Sequence, residues 1–229
     1  MLVITLLAIT AAISRQLSPT QRSFVTNYQA LLKSAESGTS ARIEAAYNAV
    51  DDLDKNLDIE SLSEAEFEQL KRDLPGTDVS RVELRYIKPI PEYFSKLAEK
   101  YGDPADRGFF AARMAAHPGI VSPTYKDSVT DYSVCAVFGD GKMVSSYRVW
   151  SQFQHDFPNR YVDATRGELE DVSETLLSTC PCGDLASVRR ELEQFIKEFP
   201  TSPLRIRVEE RLRAIADGKS GIRENCRPV

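Results

Sequence analysis

Two stretches of this chain repeat each other. Trp150, Gln152-Phe153 and Phe157-Pro158 recur 42 residues later as Leu192, Gln194-Phe195 and Phe199-Pro200. Each copy is an apolar residue, then Gln-Phe, three further residues, and Phe-Pro. Proline cannot continue a helix and turns the residue before it away from helical geometry, so each copy closes a helix. Met143, Tyr147, Trp150, Phe153 and Phe157 recur at helical spacing, as do Leu185, Val188, Leu192, Phe195 and Phe199. Leu204, Val208, Leu212 and Ile215 form a last stripe. The pattern predicts two successive αα-hairpins of helical-repeat type.

The stretch 191–215 carries Phe195, Phe199-Pro200-Thr201-Ser202-Pro203 and Arg211-Leu212. It resembles a tetratricopeptide-like hairpin of bacterial envelope proteins. That resemblance implies a protein–protein contact role, with another envelope protein as the partner. The chain departs from the family in its spacing, since the tetratricopeptide period is about 34. Two copies also fall short of a free-standing solenoid. A repeat-derived lobe leaning on the upstream helices is predicted. Its contact surface would be a groove between the two repeated helices, with Tyr147, Arg148, Trp150 and Gln152 as members.

Upstream, Ser18-Pro19, Asp103-Pro104 and Ser202-Pro203 each pair an N-cap oxygen acceptor with a proline at the first helical position. Phe24, Tyr28, Leu31 and Ala35 make one stripe, and Ile43, Tyr47, Val50, Leu53 and Leu57 a second. Ser61-Leu62-Ser63-Glu64 reads as a capping box for a third, shorter helix. From Arg81 the period changes to two. Val82, Leu84 and Tyr86 alternate with Arg81, Glu83 and Arg85, the pattern of a half-buried strand. Helices are expected after Pro91 and Pro104, the second carrying Phe109, Phe110 and Met114. Tyr132, Val134, Ala136 and Phe138 alternate again, so the two strands are expected to pair as a small antiparallel insert. The expected fold is mainly α: an irregular helical bundle with a small two-stranded β insert and C-terminal αα-hairpins. The expected division is a signal peptide at 1–14, a helical domain with the β insert at 15–140, and a repeat-like lobe at 141–229.

The chain starts with thirteen uncharged residues, Met1 to Ile13, followed by Ser14-Arg15. This run is shorter than the about 20 residues a membrane span takes and has the form of a secretory h-region. The expectation is export to the periplasm or beyond, with no transmembrane segment. Four cysteines then read as disulfides: Cys135, Cys180, Cys182 and Cys226. A bond between Cys180 and Cys182 would close a very small ring across Pro181. The other two pairings each join that knot to Cys135 and Cys226, and the reading leans to Cys135–Cys180 with Cys182–Cys226.

The formal net charge of −5 speaks against nucleic acid, which needs a concentrated basic face. Charge is uneven. Residues 51–73 hold nine acids and three bases, whereas 204–227 hold seven bases and four acids. Two solvated helix faces explain this most simply, with a docking contact as the alternative. Sequence motifs of nucleophilic, phosphate-binding or zinc-dependent enzymes are absent, and neither a cofactor nor a metal is expected. Two enzymatic alternatives remain. One is thiol exchange through Cys180 and Cys182, beside the start of a helix at Gly183-Asp184. The other is a hydrolase in which His117 or His155 meets a carboxylate or a hydroxyl. The leading expectation is a non-catalytic exported interaction or scaffold protein.

Overall fold

A computed structural model describes residues 17–38, 41–82, 84–119, 122–130, 133–177, 181–182 and 184–219. The chain is mainly helical, with small sheets between helices. It divides into two compact units, Met1–Phe110 and Ala111–Val229. The division falls inside the helix Pro104–Ala116.

In the first unit, α1 (Pro19–Ala35) packs on α2 (Ala41–Asn56). Ser18 caps α1 through a reciprocal capping box with Gln21. The box that opens α3 (Glu64–Asp73) uses Ser63 and Glu66, two residues later than the sequence pattern suggests. The strands β1 (Thr77–Ser80) and β2 (Tyr86–Pro89) form an antiparallel hairpin in which Val79 faces Ile87. Helices α4 (Pro91–Tyr101) and α5 (Pro104–Ala116) follow. The core gathers around Tyr47, whose ring meets Phe94, Phe109 and Phe110 edge-on at 5.6, 5.2 and 5.5 Å.

In the second unit, β3 (Lys126–Thr130) pairs antiparallel with β4 (Ser133–Val137), and β4 pairs parallel with β5 (Pro181–Cys182). Of the strand expected from Arg81 only Tyr86 lies in a strand, β2, whereas the strand expected around Val134 and Ala136 is β4; the two belong to separate sheets and do not pair. Helix α6 (Lys142–Asp156) packs on α7 (Val162–Leu176), α8 (Leu185–Glu198) on α9 (Arg205–Ala216), and α6 on α8. Helix α9 begins after Leu204, so Ser202-Pro203 precedes it; the Ser202 hydroxyl accepts from the Leu204 N–H at 3.2 Å.

The sequence repeat is also a repeat of geometry. The Phe157 and Phe199 N–H groups donate to the Phe153 and Phe195 carbonyls, both at 2.9 Å. Both C-cap residues leave the helix with ψ near 64° and 63°. Phe153 and Phe157 lie 5.3 Å apart, and Phe195 and Phe199 lie 5.0 Å apart.

Helix α6 starts without a cap of its own. Gly139 and Gly141 adopt φ of 91° and 75°, and a Cβ on Gly139 would lie 2.9 Å from the Ser187 Cβ. The cap comes from α8. Glu191 is fully buried, and its carboxylate accepts from the N–H groups of Gly139 (2.9 Å), Gly141 (2.8 Å) and Val144 (3.2 Å). An anion at a helix N-terminus is favoured by the orphan donors and the dipole there. This carboxylate fixes α6 against α8.

Candidate functional site

The segment from Arg81 to Arg85 reverses the expectation placed on it. The alternation predicts Val82 and Leu84 buried with Arg81 and Arg85 outside. In the structure Arg81, Val82, Leu84 and Arg85 lie between β1 and β2, outside both strands; Val82 is 74 % and Leu84 51 % exposed. The arginines reach back to the α2–α3 connection, Arg81 half-buried and Arg85 exposed. Arg81 donates through Nη1 to the Leu62 carbonyl at 2.5 Å and through Nη2 to Glu64 at 2.5 Å. Its guanidinium lies 4.2 Å from the Phe67 ring centroid. Arg85 donates through Nη2 to the Asp54 and Leu57 carbonyls, both at 2.6 Å. The Asp54 carboxylate accepts from the Ile87 N–H at 2.7 Å and pairs with Lys88 at 3.3 Å.

The physical reason is a shortage of donors. The α2–α3 connection buries Leu57, Ile59 and Leu62 and leaves their carbonyls without helical partners. Guanidinium forks satisfy these carbonyls, which an apolar side chain cannot do. Both ends of the loop are thus fixed, and its two apolar side chains point to water. Around its base, Asp58 and Glu60 are exposed and the Glu64 side chain is 79 % exposed.

A second constellation lies inside the second unit. His117 and Arg113 stand one turn apart at the end of α5 and reach Glu168 on α7. His117 Nε2 lies 2.6 Å from Glu168 Oε2, and Arg113 Nη1 lies 3.4 Å from Oε1. One turn on, Asp171 accepts from the Tyr125 hydroxyl at 2.8 Å and from Lys126 Nζ at 2.5 Å. Burial, and then the Asp171 carboxylate, push the Tyr125 phenol far above its ordinary range. Among the described residues, His117 Nδ1, Arg113 Nε and Thr165 Oγ1 are buried without a hydrogen-bond partner. Sequence spacing did not single out Glu168 or Arg113, because the pairing of Glu168 with the end of α5 crosses more than fifty residues.

The surface expected on α6 is only partly surface. Trp150 is 1 % exposed and belongs to the interior, which corrects its placement in a contact face. Its position on the stripe with Met143 and Phe153 directs it inward with them. Tyr147 is half-buried between Phe195 and Phe199, at 4.9 and 4.8 Å, and its hydroxyl meets that of Ser202 at 2.8 Å. Arg148 and Gln152 are exposed. Arg148 pairs with Glu198, and Gln152 donates to Asp156 at 2.8 Å. The Arg148 and Gln194 side chains hold the Glu198 carboxyl below its usual range.

His155 is exposed beside Asp156 at 3.0 Å, with no further carboxylate or hydroxyl placed against it among the described residues. Cys135 is 7 % exposed and disulfide-bonded. Cys180 and Cys226 lie outside the described residues, as does the expected signal segment. Cys182 is described only as a strand position. Among the described residues no three His, Cys, Asp or Glu side chains are grouped to hold a metal ion. No helix there is long and apolar enough to cross a membrane. No family model, curated protein or solved structure matches the chain.

Proposed function

We propose that this chain is an exported, non-catalytic interaction module of a bacterial envelope. The Arg81–Arg85 tip carries the reading. Contact surfaces concentrate their energy in a few apolar anchors, and an anchor fixed in its bound form loses less entropy on binding. Val82 and Leu84 have that character, because arginines on either side hold their loop to the α2–α3 connection. The uncharged opening segment and the disulfide-bonded Cys135 support an oxidising destination. The β4–β5 register supports one disulfide assignment. Ala136 stands opposite Pro181, so Cys180 is the proposed partner of Cys135, to be read by non-reducing peptide mapping.

The test is a photoreactive residue placed at position 82 of the full-length protein in its own cells, with position 152 as the comparison. A discrete adduct from 82 and none from 152, in the exported fraction, is expected. Adducts from neither position, or a chain retained inside the cell, would overturn the reading.

One observation favours a second reading, a hydrolase. Glu168 engages His117 Nε2 and leaves the buried Nδ1 without a hydrogen-bond partner, and a carboxylate paired with a histidine is one element of catalytic acid–base sites. Turnover of an ester or amide panel that disappears in His117→Ala and Glu168→Gln, with both variants folded, would establish it. No turnover by the intact chain would remove it.

A further inference from the structure

The tripeptide Asp-Gly-Lys occurs twice in this chain, at 140–142 and at 217–219, and Asn-Gly does not occur. Aspartate before glycine is a step at which a peptide chain rearranges on its own. Glycine has no side chain to shield its nitrogen from the neighbouring carboxyl. The fold places the two copies in opposite settings.

At 140–142 the reacting groups are already engaged. The Gly141 N–H donates to the Glu191 carboxylate at 2.8 Å, and that buried negative charge opposes loss of the N–H proton. The Asp140 carboxylate accepts from the Lys142 N–H at 3.1 Å and pairs with Lys142 Nζ at 2.9 Å. A Cβ on Gly141 would lie 3.2 Å from Gln194 Nε2, so the turn is also closely covered. At 217–219 the same groups stand open. Gly218, with φ of 68°, closes α9 in a Schellman motif: its N–H donates to the Ile215 carbonyl at 3.2 Å, and the Lys219 N–H to the Ala214 carbonyl at 2.8 Å. Helix ends of this kind fray. Asp217, Gly218 and Lys219 are all exposed, and a Cβ on Gly218 would meet nothing beyond its chain neighbours within 4 Å. Lys219 Nζ lies 3.9 Å from the Asp217 carboxylate, an exposed pair that holds little.

We propose that Asp217-Gly218 is a site of spontaneous isomerisation to isoaspartate, and that the fold protects Asp140-Gly141 from the same reaction. The Gly218 nitrogen bonds to Cγ of Asp217, and the carboxyl hydroxyl leaves with the amide proton as water, closing a succinimide ring. Water then opens the ring. Breaking the new Cγ–N bond restores aspartate. Breaking the bond between that nitrogen and the Asp217 main-chain carbonyl carbon leaves the backbone running through the former side chain. The product carries one more methylene in the main chain and a free α-carboxylate. The Lys219–Ala214 hydrogen bond is lost, and the chain leaves α9 in a new direction. The site is independent of the contact reading above.

The test is incubation of the purified full-length protein for several weeks near neutral pH at body temperature. Reduction, trypsin and peptide mapping with electron-transfer fragmentation then separate isoaspartate from aspartate at equal mass. Peptide 214–219 is expected to gain isoaspartate more than about tenfold faster than peptide 127–142, because the second reacts only when the start of α6 opens locally. In urea the two peptides should react at similar rates. Glu191→Ala, which removes the acceptor of the Gly141 N–H, should raise the rate at 140 and leave that at 217 unchanged. An unmodified Asp217 in the folded chain would overturn the proposal, as would equal rates at the two sites before unfolding. A difference that survives in urea would overturn it as well, since sequence and not the fold would then be its cause.

Discussion

The loop at 81–85 and the aromatic stripe of α6 carry similar sequence signals and meet opposite fates. Both alternate apolar residues with polar ones at a regular period. On α6 the apolar face turns inward, and Trp150 is buried with Met143 and Phe153. On the loop the apolar residues turn outward, Arg81 is drawn in, and Arg85, itself exposed, reaches back to the carbonyls at the end of α2. Apolar periodicity decides orientation where a large apolar surface stands ready to receive it. Where the neighbouring surface offers carbonyls without helical partners, the hydrogen-bonding residues are the ones held against it. Leaving a buried carbonyl unpaired costs about 1–3 kcal/mol, comparable to burying one aliphatic side chain.

The largest expected effect breaks the inward side of this comparison. Trp150→Ala should destabilise the second unit by about 3–5 kcal/mol, seen in urea unfolding, because an indole-sized cavity opens in a packed interior. Next comes the anchor that sets where α6 begins. Glu191→Ala strips three backbone N–H groups of their acceptor and should cost on the order of 3 kcal/mol. Faster amide exchange at Gly139, Gly141 and Val144 would locate the loss.

On the outward side, Arg85→Ala should cost about 1–3 kcal/mol, since it removes the donor that the Asp54 and Leu57 carbonyls share. Hydrogen exchange should accelerate in the hairpin while α6 is unaffected. The Arg148–Glu198 bridge on the surface of α6 contributes least. Its carboxyl is held low, so its contribution is full above the ordinary glutamate range near about 4.3 and is lost as the pH falls through the lowered value. Glu198→Gln should remove less than about 1 kcal/mol at neutral pH and flatten that part of the acid profile.

The helices were legible because their signals are local. Ser18-Pro19 and Asp103-Pro104 mark starts, Phe157-Pro158 and Phe199-Pro200 mark ends, and stripes such as Val188, Leu192 and Phe195 mark the inner face. The tip was misread because its orientation depends on the Leu57 and Leu62 carbonyls, which no pattern within 81–86 reveals. Glu191 and Glu168 were missed for a related reason. Each is one acid among many on an amphipathic helix, and only the approach of a distant backbone or histidine distinguishes it. The repeat was visible as sequence, whereas its use was not: the repeated aromatic positions Phe153 and Phe195 build the interior of their helix pairs.

The most direct measurement on the tip is urea unfolding of Val82→Ser with Leu84→Ser against the unaltered protein. Side chains that face water contribute little to folding, so the midpoint and slope should hold, with stability changed by no more than about 0.5 kcal/mol. A loss of about 2 kcal/mol or more would mean that Val82 and Leu84 pack within the fold, and it would contradict the account of the tip as a contact surface.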